Sequence, residues 1–131
     1  MRRRDSGFTL IEILIVITLI FILAGMALLQ YQRSVTYAKE AVLKENLFRL
    51  RDAIDQFYAD KNKYPASLDE LVAEKYIRAV PPDPFTQSVE TWQPVMSEAD
   101  PLNPSVQPGI YDLKSGSEAM ALDGTRYADW D

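Results

Sequence analysis

The 131-residue chain contains no histidine and no cysteine, which excludes imidazole acid–base catalysis, thiol nucleophiles, His/Cys metal sites and disulfides. Its net charge of −5 is unevenly distributed, because Arg2, Arg3 and Arg4 precede a long apolar run whereas residues 60–131 carry 6 Lys and Arg against 13 Asp and Glu. An acidic globular part of about 100 residues disfavours a nucleic-acid partner and a large enzyme pocket.

The first predicted element is an apolar helix over residues 8–29, which carries a single charge. At ~1.5 Å per residue this helix would be about 33 Å long, which matches the hydrocarbon core of a bilayer, about 30 Å thick. The arginines before it predict a cytoplasmic N-terminus. Two simpler interpretations are an ordinary membrane anchor and a secretory signal cleaved near Gly25-Met26-Ala27, although the apolar run is long for a signal peptide.

The single charge of this run is Glu12. An acid at the centre of a membrane span costs about 2.5–3.5 kcal/mol and is a candidate functional residue. A free α-amino group at Phe8, ~4 Å away at an effective dielectric near 20, would offset this cost with about 4 kcal/mol. The pair would form within one chain or between neighbouring chains, and the amine exists only if the chain is cut between Gly7 and Phe8.

The leader, the apolar run and the hexapeptide between them resemble the processing site of type IV pilins and type II secretion pseudopilins. The hexapeptide is Gly7-Phe8-Thr9-Leu10-Ile11-Glu12. The resemblance implies that a prepilin peptidase cuts after Gly7, that Phe8 becomes an N-methylated N-terminus, and that Glu12 pairs with the amine of an adjacent subunit during assembly. Leu29 and Phe21 stand where many relatives have a proline and a glycine. This departure weakens the case for local helix melting during assembly.

The helical pattern continues beyond residue 29 without a proline or glycine from 26 to 62. Apolar residues recur at steps of 4, 3, 4 and 3, the spacing of an amphipathic helix, at Leu43, Leu47, Leu50, Ile54 and Phe57. The stripe extends backwards, with a slight drift around the axis, to Val35, Ala38 and Val42. Pairs at i,i+4 are predicted on the polar side for Glu45 with Arg49 and for Arg51 with Asp55. We therefore expect one helix of about 50 residues whose second half covers a core.

Shorter elements follow the long helix. Tyr64-Pro65 ends it, because the residue before proline disfavours the helical region. A capping box from Ser67 to Glu70 predicts a short helix over residues 68–75. A proline-rich turn over residues 81–85 precedes strands at 92–96 and 110–113, which are separated by a loop. The predicted fold is α+β and pilin-like, with a long N-terminal helix packed on a small antiparallel sheet.

Three short motifs of this second half resemble the major pseudopilin of the type II secretion system more than a classical pilin. They are Tyr64-Pro65, Tyr76-Ile77-Arg78 and Asp83-Pro84-Phe85. The absence of cysteine agrees, because classical pilins often close their C-terminal loop with a disulfide. The implied organisation is a cleaved leader (1–7), a transmembrane and filament-core helix (8–30), its amphipathic half (31–61) and a periplasmic head (62–131).

The C-terminal residues are rich in the hard oxygen donors that calcium prefers. Their position resembles the calcium loop of major pseudopilins, and the resemblance nominates the Leu113 carbonyl, Ser117, Glu118 and Asp123 as ligands. The alternative interpretation of the same residues is a solvated acidic tail.

The function implied by the resemblance is that of a structural, non-enzymatic subunit of a type II secretion pseudopilus. Its partners would be other copies of itself, minor pseudopilins, the prepilin peptidase and an inner-membrane assembly platform. It would wait in the inner membrane as a single-pass protein with a periplasmic head and then join a periplasmic filament. The alternatives are a type IV pilin for adhesion, motility or DNA uptake and, from another class, a membrane-anchored binding module or small hydrolase. Asp69 and Glu70 are adjacent and form a poor catalytic pair.

Overall fold

The computed structural model describes Gly7 and residues 9–131. Residues 1–6 and Phe8 lie outside the described residues. In chain order the elements are α1 (Leu10–Lys61), α2 (Leu68–Ala73), β1 (Gln93–Met96), β2 (Ile110–Lys114) and a short 3-10 helix (Tyr127–Asp129). The chain divides into two compact units, Met1–Thr36 and Tyr37–Asp131, with the boundary inside α1.

The first unit contains the apolar part of α1. Side chains from Thr9 to Val35 are exposed in the single chain. The helix runs without interruption through Phe21, Gly25 and Leu29, which agrees with the absence of a helix-breaking proline. The hydroxyl of Thr18 donates to the Leu14 carbonyl at 2.7 Å, so this polar side chain is satisfied inside the helix.

The second unit is organised around the amphipathic part of α1. The predicted stripe is confirmed, because all five of its residues are 0–2% exposed: Leu43, Leu47, Leu50, Ile54 and Phe57. Burying five such side chains contributes roughly 1.5–3 kcal/mol each before the entropy cost of folding. The predicted backward extension is wrong, since Val42 is 49% exposed and Ala38 is exposed too. The drift around the helix axis takes these residues away from the face that the head covers.

The ends of the helices follow the local sequence signals. Asn62 adopts a left-handed conformation (φ 55°) and its N–H donates to the Tyr58 carbonyl at 2.8 Å, so α1 ends just before the predicted break. The predicted cap of α2 is confirmed, because the Glu70 N–H donates to Ser67 Oγ at 3.3 Å. The reciprocal bond differs from a standard capping box, since Glu70 Oε2 accepts from the N–H of Ala66, one residue before the cap, at 2.6 Å. The short helix itself is two residues shorter than predicted.

The sheet consists of β1 and β2, which pair antiparallel from Gln93↔Lys114 to Met96↔Ile110 with an irregularity between Val95 and Met96. Both strands lie within a residue of their predicted bounds, and the predicted α+β class is confirmed. Ile110 and Leu113 are buried against the α1 stripe, and Trp92 is buried beside them with its Nε1 donating to the Pro81 carbonyl at 2.8 Å. The long helix therefore supplies the face of the core that so small a sheet lacks.

The proline-rich turn is held to the end of β2 by a buried carboxylate. Asp83 is fully buried; its Oδ1 accepts from the Phe85 N–H at 2.9 Å, and its Oδ2 accepts from the Ser115 hydroxyl. Gly116 follows at a close approach of two backbones, where an added Cβ would lie 2.0 Å from the Thr91 carbonyl oxygen. The turn is thus fixed by polar contacts as well as by its prolines.

Candidate functional site

The first candidate site surrounds the start of α1, which is capped by Thr9. Thr9 Oγ1 accepts from the Glu12 N–H at 3.3 Å, and the Thr9 carbonyl accepts from the Ile13 N–H at 3.1 Å. Thr9 and Glu12 are spaced as in a capping box. The sequence analysis missed this role of Thr9, although a threonine followed three residues later by a glutamate is a recognised signal for it. The cap sets the helix start at Leu10.

Gly7 lies ahead of this helix. It is exposed, has no regular secondary structure, and a Cβ added to it would meet nothing within 4 Å. Phe8, the predicted methylated residue, lies outside the described residues. The predicted cleavage position therefore directly follows an exposed, non-helical residue, Gly7.

Glu12 occupies the first turn of α1 with an exposed side chain. A carboxylate there is favoured by the unpaired N–H groups of the helix end, a contribution of about 0.3–1 kcal/mol. Gly7 and residues 9–131 provide no salt bridge to Glu12. The Glu12 carboxylate is therefore available to form an ion pair with a cation from outside the described residues of this chain.

Apolar surface surrounds this charge. Leu10, Ile11 and Phe21 are 67–76% exposed, and the best 18-residue window of α1 has a mean hydropathy of 2.8. By length and composition this helix can cross a membrane. An exposed apolar surface of this extent is typical of a membrane or protein interaction site.

The second candidate region is the C-terminal segment, defined as residues 115–131, which lies along α1 in the second unit. Glu40 is 8% exposed, and its Oε1 accepts from the Leu122 N–H and from the Tyr127 hydroxyl, both at 2.8 Å. Tyr127 is buried and stacks on Phe85 with ring centroids 3.9 Å apart. Burial, with the Glu40 carboxylate beside the hydroxyl, raises the pKa of Tyr127 well above its usual range. The phenol therefore stays a hydrogen-bond donor throughout the physiological pH range.

Arg51 joins three parts of the head. Its Nε donates to Asp112 Oδ1 at 2.7 Å, and its Nη2 donates at 3.0 Å to the carbonyls of Leu113 and Trp130. The predicted i,i+4 pairing with Asp55 is wrong, because the guanidinium reaches over to β2 and the C-terminal segment, where it finds three acceptors. The other predicted pair, Glu45 with Arg49, is confirmed at 2.8 Å.

Three of the four predicted calcium ligands, Leu113, Ser117 and Asp123, already accept hydrogen bonds from the protein. The Leu113 carbonyl faces the Arg51 guanidinium at 3.0 Å. Asp123 is exposed, and its Oδ1 accepts from the N–H and the hydroxyl of Thr125 at 2.9 and 2.6 Å, which lowers the pKa of Asp123. A cation at the Leu113 carbonyl would therefore bind close to the Arg51 guanidinium.

The predicted ligands Ser117 and Glu118 lie on one short stretch. Ser117 is buried, and its Oγ accepts from the Ala119 N–H at 3.3 Å; the Glu118 side chain is exposed. Among the residues that the structure describes, no group of three or more acids is arranged to hold a metal ion. Calcium binding by Leu113, Ser117, Glu118 and Asp123 therefore stays a prediction.

Comparison with known proteins adds independent information. Residues 2–28 match the model of the prokaryotic N-terminal methylation motif. The type II secretion system core protein G of Aeromonas hydrophila is 28% identical over 109 residues, covering 71% of this chain and 76% of that protein. The protein of the same name from Pseudomonas aeruginosa is 30% identical over 100 residues, covering 64% of this chain and 70% of that protein.

Pilins also match, over a shorter stretch. The type IV major pilin protein PilA of Myxococcus xanthus is 35% identical over 68 residues, covering 52% of this chain and 31% of that protein. No solved structure gives a significant match. The relatives with the longer coverage thus share one name, whereas the pilin likeness is limited to part of the chain.

Proposed function

The chain belongs to the family of type II secretion system core protein G, the major pseudopilin, and on this premise we propose that it is a structural subunit of a type II secretion pseudopilus. The observation that carries the proposal is the exposed Glu12 in the first turn of an apolar helix, five residues after an accessible Gly7; no described residue forms a salt bridge with it. The family is structural and is not known for enzymatic activity. The apolar helix and the prepilin motif fit an inner-membrane-anchored pseudopilin.

In the proposed pathway, a prepilin peptidase removes residues 1–7 on the cytoplasmic side and Phe8 is methylated. The new amine, with a pKa of about 7.7–8.0 before methylation, is a cation in reach of a neighbour's Glu12. Copies then assemble through the apolar part of α1 on an inner-membrane platform, with minor pseudopilins as further partners. The acidic heads lie outside, and the periplasmic filament helps to move folded proteins across the outer membrane.

Processing is tested by mass spectrometry of the membrane-extracted chain, produced with and without a prepilin peptidase. We expect loss of residues 1–7 and one methyl group on Phe8 only when the peptidase is present. Gly7→Val should remain uncut; because a Cβ at Gly7 meets nothing within 4 Å, the change does not disturb the rest of the protein. Gly25→Ala, at a second unobstructed glycine, is the matched control and should be cut normally. An uncut wild-type chain would contradict the proposal.

The second candidate is a type IV pilin, which the partial match to the Myxococcus xanthus pilin favours. Both candidates predict the same processing and assembly, so gene context separates them. Neighbouring genes for a secretion ATPase, an outer-membrane secretin and several minor pseudopilins would support the secretion role. Neighbouring genes for pilus retraction and adhesion would support the pilin role.

We further propose calcium as a ligand of the C-terminal segment, held by the Leu113 carbonyl, Ser117, Glu118 and Asp123. Thermal unfolding of the full chain in detergent, with calcium and with EGTA, tests it. Calcium at about 100 times its dissociation constant adds about 2.7 kcal/mol to the free energy of unfolding. Chelation removes this contribution, so EGTA should lower the melting temperature by roughly 10 °C or more. Asp123→Asn should reduce the shift. An unchanged melting temperature in EGTA would end the calcium proposal.

A further inference from the structure

The loop between β1 and β2 is a preorganised structure, and we call residues 97–109 the acidic loop. Its two ends are joined, because the Ser97 N–H donates to the Gly109 carbonyl at 2.7 Å and the Gly109 N–H donates to Ser97 Oγ at 3.0 Å. Near its tip the Leu102 N–H donates to Asp100 Oδ1 at 2.8 Å. The loop also contains three prolines, Pro101, Pro104 and Pro108. A loop restrained in this way loses little conformational entropy when a partner binds it.

Leu102 stands at the tip of the acidic loop and is 94% exposed. A single exposed leucine is ordinary on a protein surface. This leucine is distinctive because it is held out by a turn and is flanked by Glu98 and Asp100, while the loop has no Lys or Arg. The acidic loop therefore presents an apolar tip with an acidic surround.

A groove with an apolar lining and two arginines lies elsewhere on the head, and we call it the basic groove. It has a volume of about 340 Å³ and runs between α1 and the residues after α2. Its apolar lining comes from Leu50, Ala53, Ile77 and Pro81. Its charged lining is Arg49 and Arg78 with one acid, Asp52, which accepts a hydrogen bond from Gln56 at 2.8 Å.

The two arginines of the basic groove are available to a partner. The Arg49 pair with Glu45 is a surface ion pair with side chains 69% and 56% exposed, and such pairs contribute about 0–1 kcal/mol and exchange readily. Arg78 is exposed, and residues 9–131 give it no ion pair. The groove therefore complements the acidic loop in both charge and polarity.

The acidic loop and the basic groove lie on opposite faces of α1. Tyr58 lines a depression beside the acidic loop, whereas Arg49 lines the groove. The two residues are nine positions apart, which at ~3.6 residues per turn places them half a turn out of phase. Complementary surfaces on opposite sides of one molecule produce head-to-tail contacts, which extend into an open helical polymer when they do not close into a ring.

We propose that the acidic loop of one copy docks in the basic groove of a second copy, with Leu102 entering between Arg49 and Arg78. The contact rests on the proposed function, since it joins the heads of neighbouring subunits in the filament. An apolar centre surrounded by a polar rim is the usual arrangement of a protein interface.

Charge exchange tests the contact in the full-length, processed chain. Arg78→Glu alone and Glu98→Arg alone should each lower the fraction of sedimenting polymer by about two- to fivefold, the range expected for an exposed charge pair. The double variant should restore the polymer. Arg126→Glu, the same charge change at another exposed arginine of the head, is the control and should assemble normally. Melting temperatures that match wild type show that each variant is folded.

Disulfide trapping gives a second, direct readout because the chain has no cysteine of its own. Leu102→Cys with Ala79→Cys, at a residue that lines the basic groove, should form covalent dimers and ladders between copies, whereas Leu102→Cys with Glu118→Cys should not. Normal polymer of the Leu102→Cys, Ala79→Cys variant without this cross-link, or a cross-link of Leu102→Cys to another protein only, would overturn the docking and leave the filament role intact. Absence of wild-type polymer would overturn the filament role and the docking together.

Discussion

Glu12→Ala should be cut after Gly7 as efficiently as the wild-type chain, yet its polymer should be lost. Cleavage depends on an accessible peptide ahead of α1, and Glu12 lies within the helix, where Thr9 Oγ1 accepts from its backbone N–H. Assembly in the proposed filament depends instead on the carboxylate that offsets the amine of a neighbour's Phe8. Removing one member of such a pair leaves the other charge unpaired in apolar surroundings.

The expected effect is large. A pair at ~4 Å with an effective dielectric near 20 contributes about 4 kcal/mol, so each subunit addition would weaken by about 10³-fold. Glu12→Gln keeps the size of the side chain and removes its charge, and it should fail like Glu12→Ala. Glu90→Ala removes an exposed acid of the head and is the matched control.

The measurement is the sedimenting fraction of the processed chain, with processing followed in parallel by mass spectrometry. Normal assembly of Glu12→Gln would mean that the carboxylate charge is not needed and would remove the main support for the proposed function. Loss of processing in Glu12→Ala would place the residue in peptidase recognition instead.

Arg51→Met should strongly lower the free energy of unfolding of the head. It removes the donor that the carbonyls of Leu113 and Trp130 share, and it removes the charged donor of Asp112 Oδ1, which also accepts from the Leu113 N–H. The ion pair is partly exposed, with side chains 23% and 29% accessible, so we expect about 2–3 kcal/mol rather than the larger cost of breaking a fully buried pair. This loss corresponds to a fall in melting temperature of roughly 10–20 °C for a head of this size.

Unfolding of the full chain in detergent, followed by tryptophan fluorescence, measures the effect of Arg51→Met. Arg49→Met is a close control, because the residue lies two positions earlier on the same helix and its one ion pair with a described residue is the surface pair with Glu45. It should cost less than about 1 kcal/mol. Arg51→Lys keeps the positive charge but loses the forked geometry of the guanidinium, so its loss of stability should lie between those of Arg49→Met and Arg51→Met. Equal stability of Arg51→Met and Arg49→Met would refute the joining role of Arg51.

Much of the fold could be predicted because its signals are local. The spacing of Leu43, Leu47 and Leu50 fixes one face of a helix, the Ser67–Glu70 capping box marks a helix start, and Tyr64-Pro65 marks a helix end. Each of these depends on residues within one or two turns of each other. The structure places the corresponding elements within a residue or two of expectation.

The contacts that hold the C-terminal segment were missed because they join distant positions. Arg51 has a plausible partner four residues away in Asp55, and no local pattern reveals that Asp112 and two carbonyls are better acceptors. The burial of Glu40 could have been predicted, because it lies three residues before Leu43, on the same helix face as the buried stripe. A charged residue in that phase is expected to be buried with a partner, although the sequence does not identify Tyr127 as that partner.

The contacts of Tyr127 and Trp130 with α1 have a consequence for the timing of folding. Glu40 and Tyr127 are 87 positions apart, and Arg51 and Trp130 are 79 apart. Contacts of such long sequence separation close large loops and form slowly. The helix leaves the ribosome before the head does, and the head cannot finish burying the apolar stripe of the helix until residues 127–130 have been synthesised. Until then, an emerging chain exposes apolar surface that chaperones and proteases recognise.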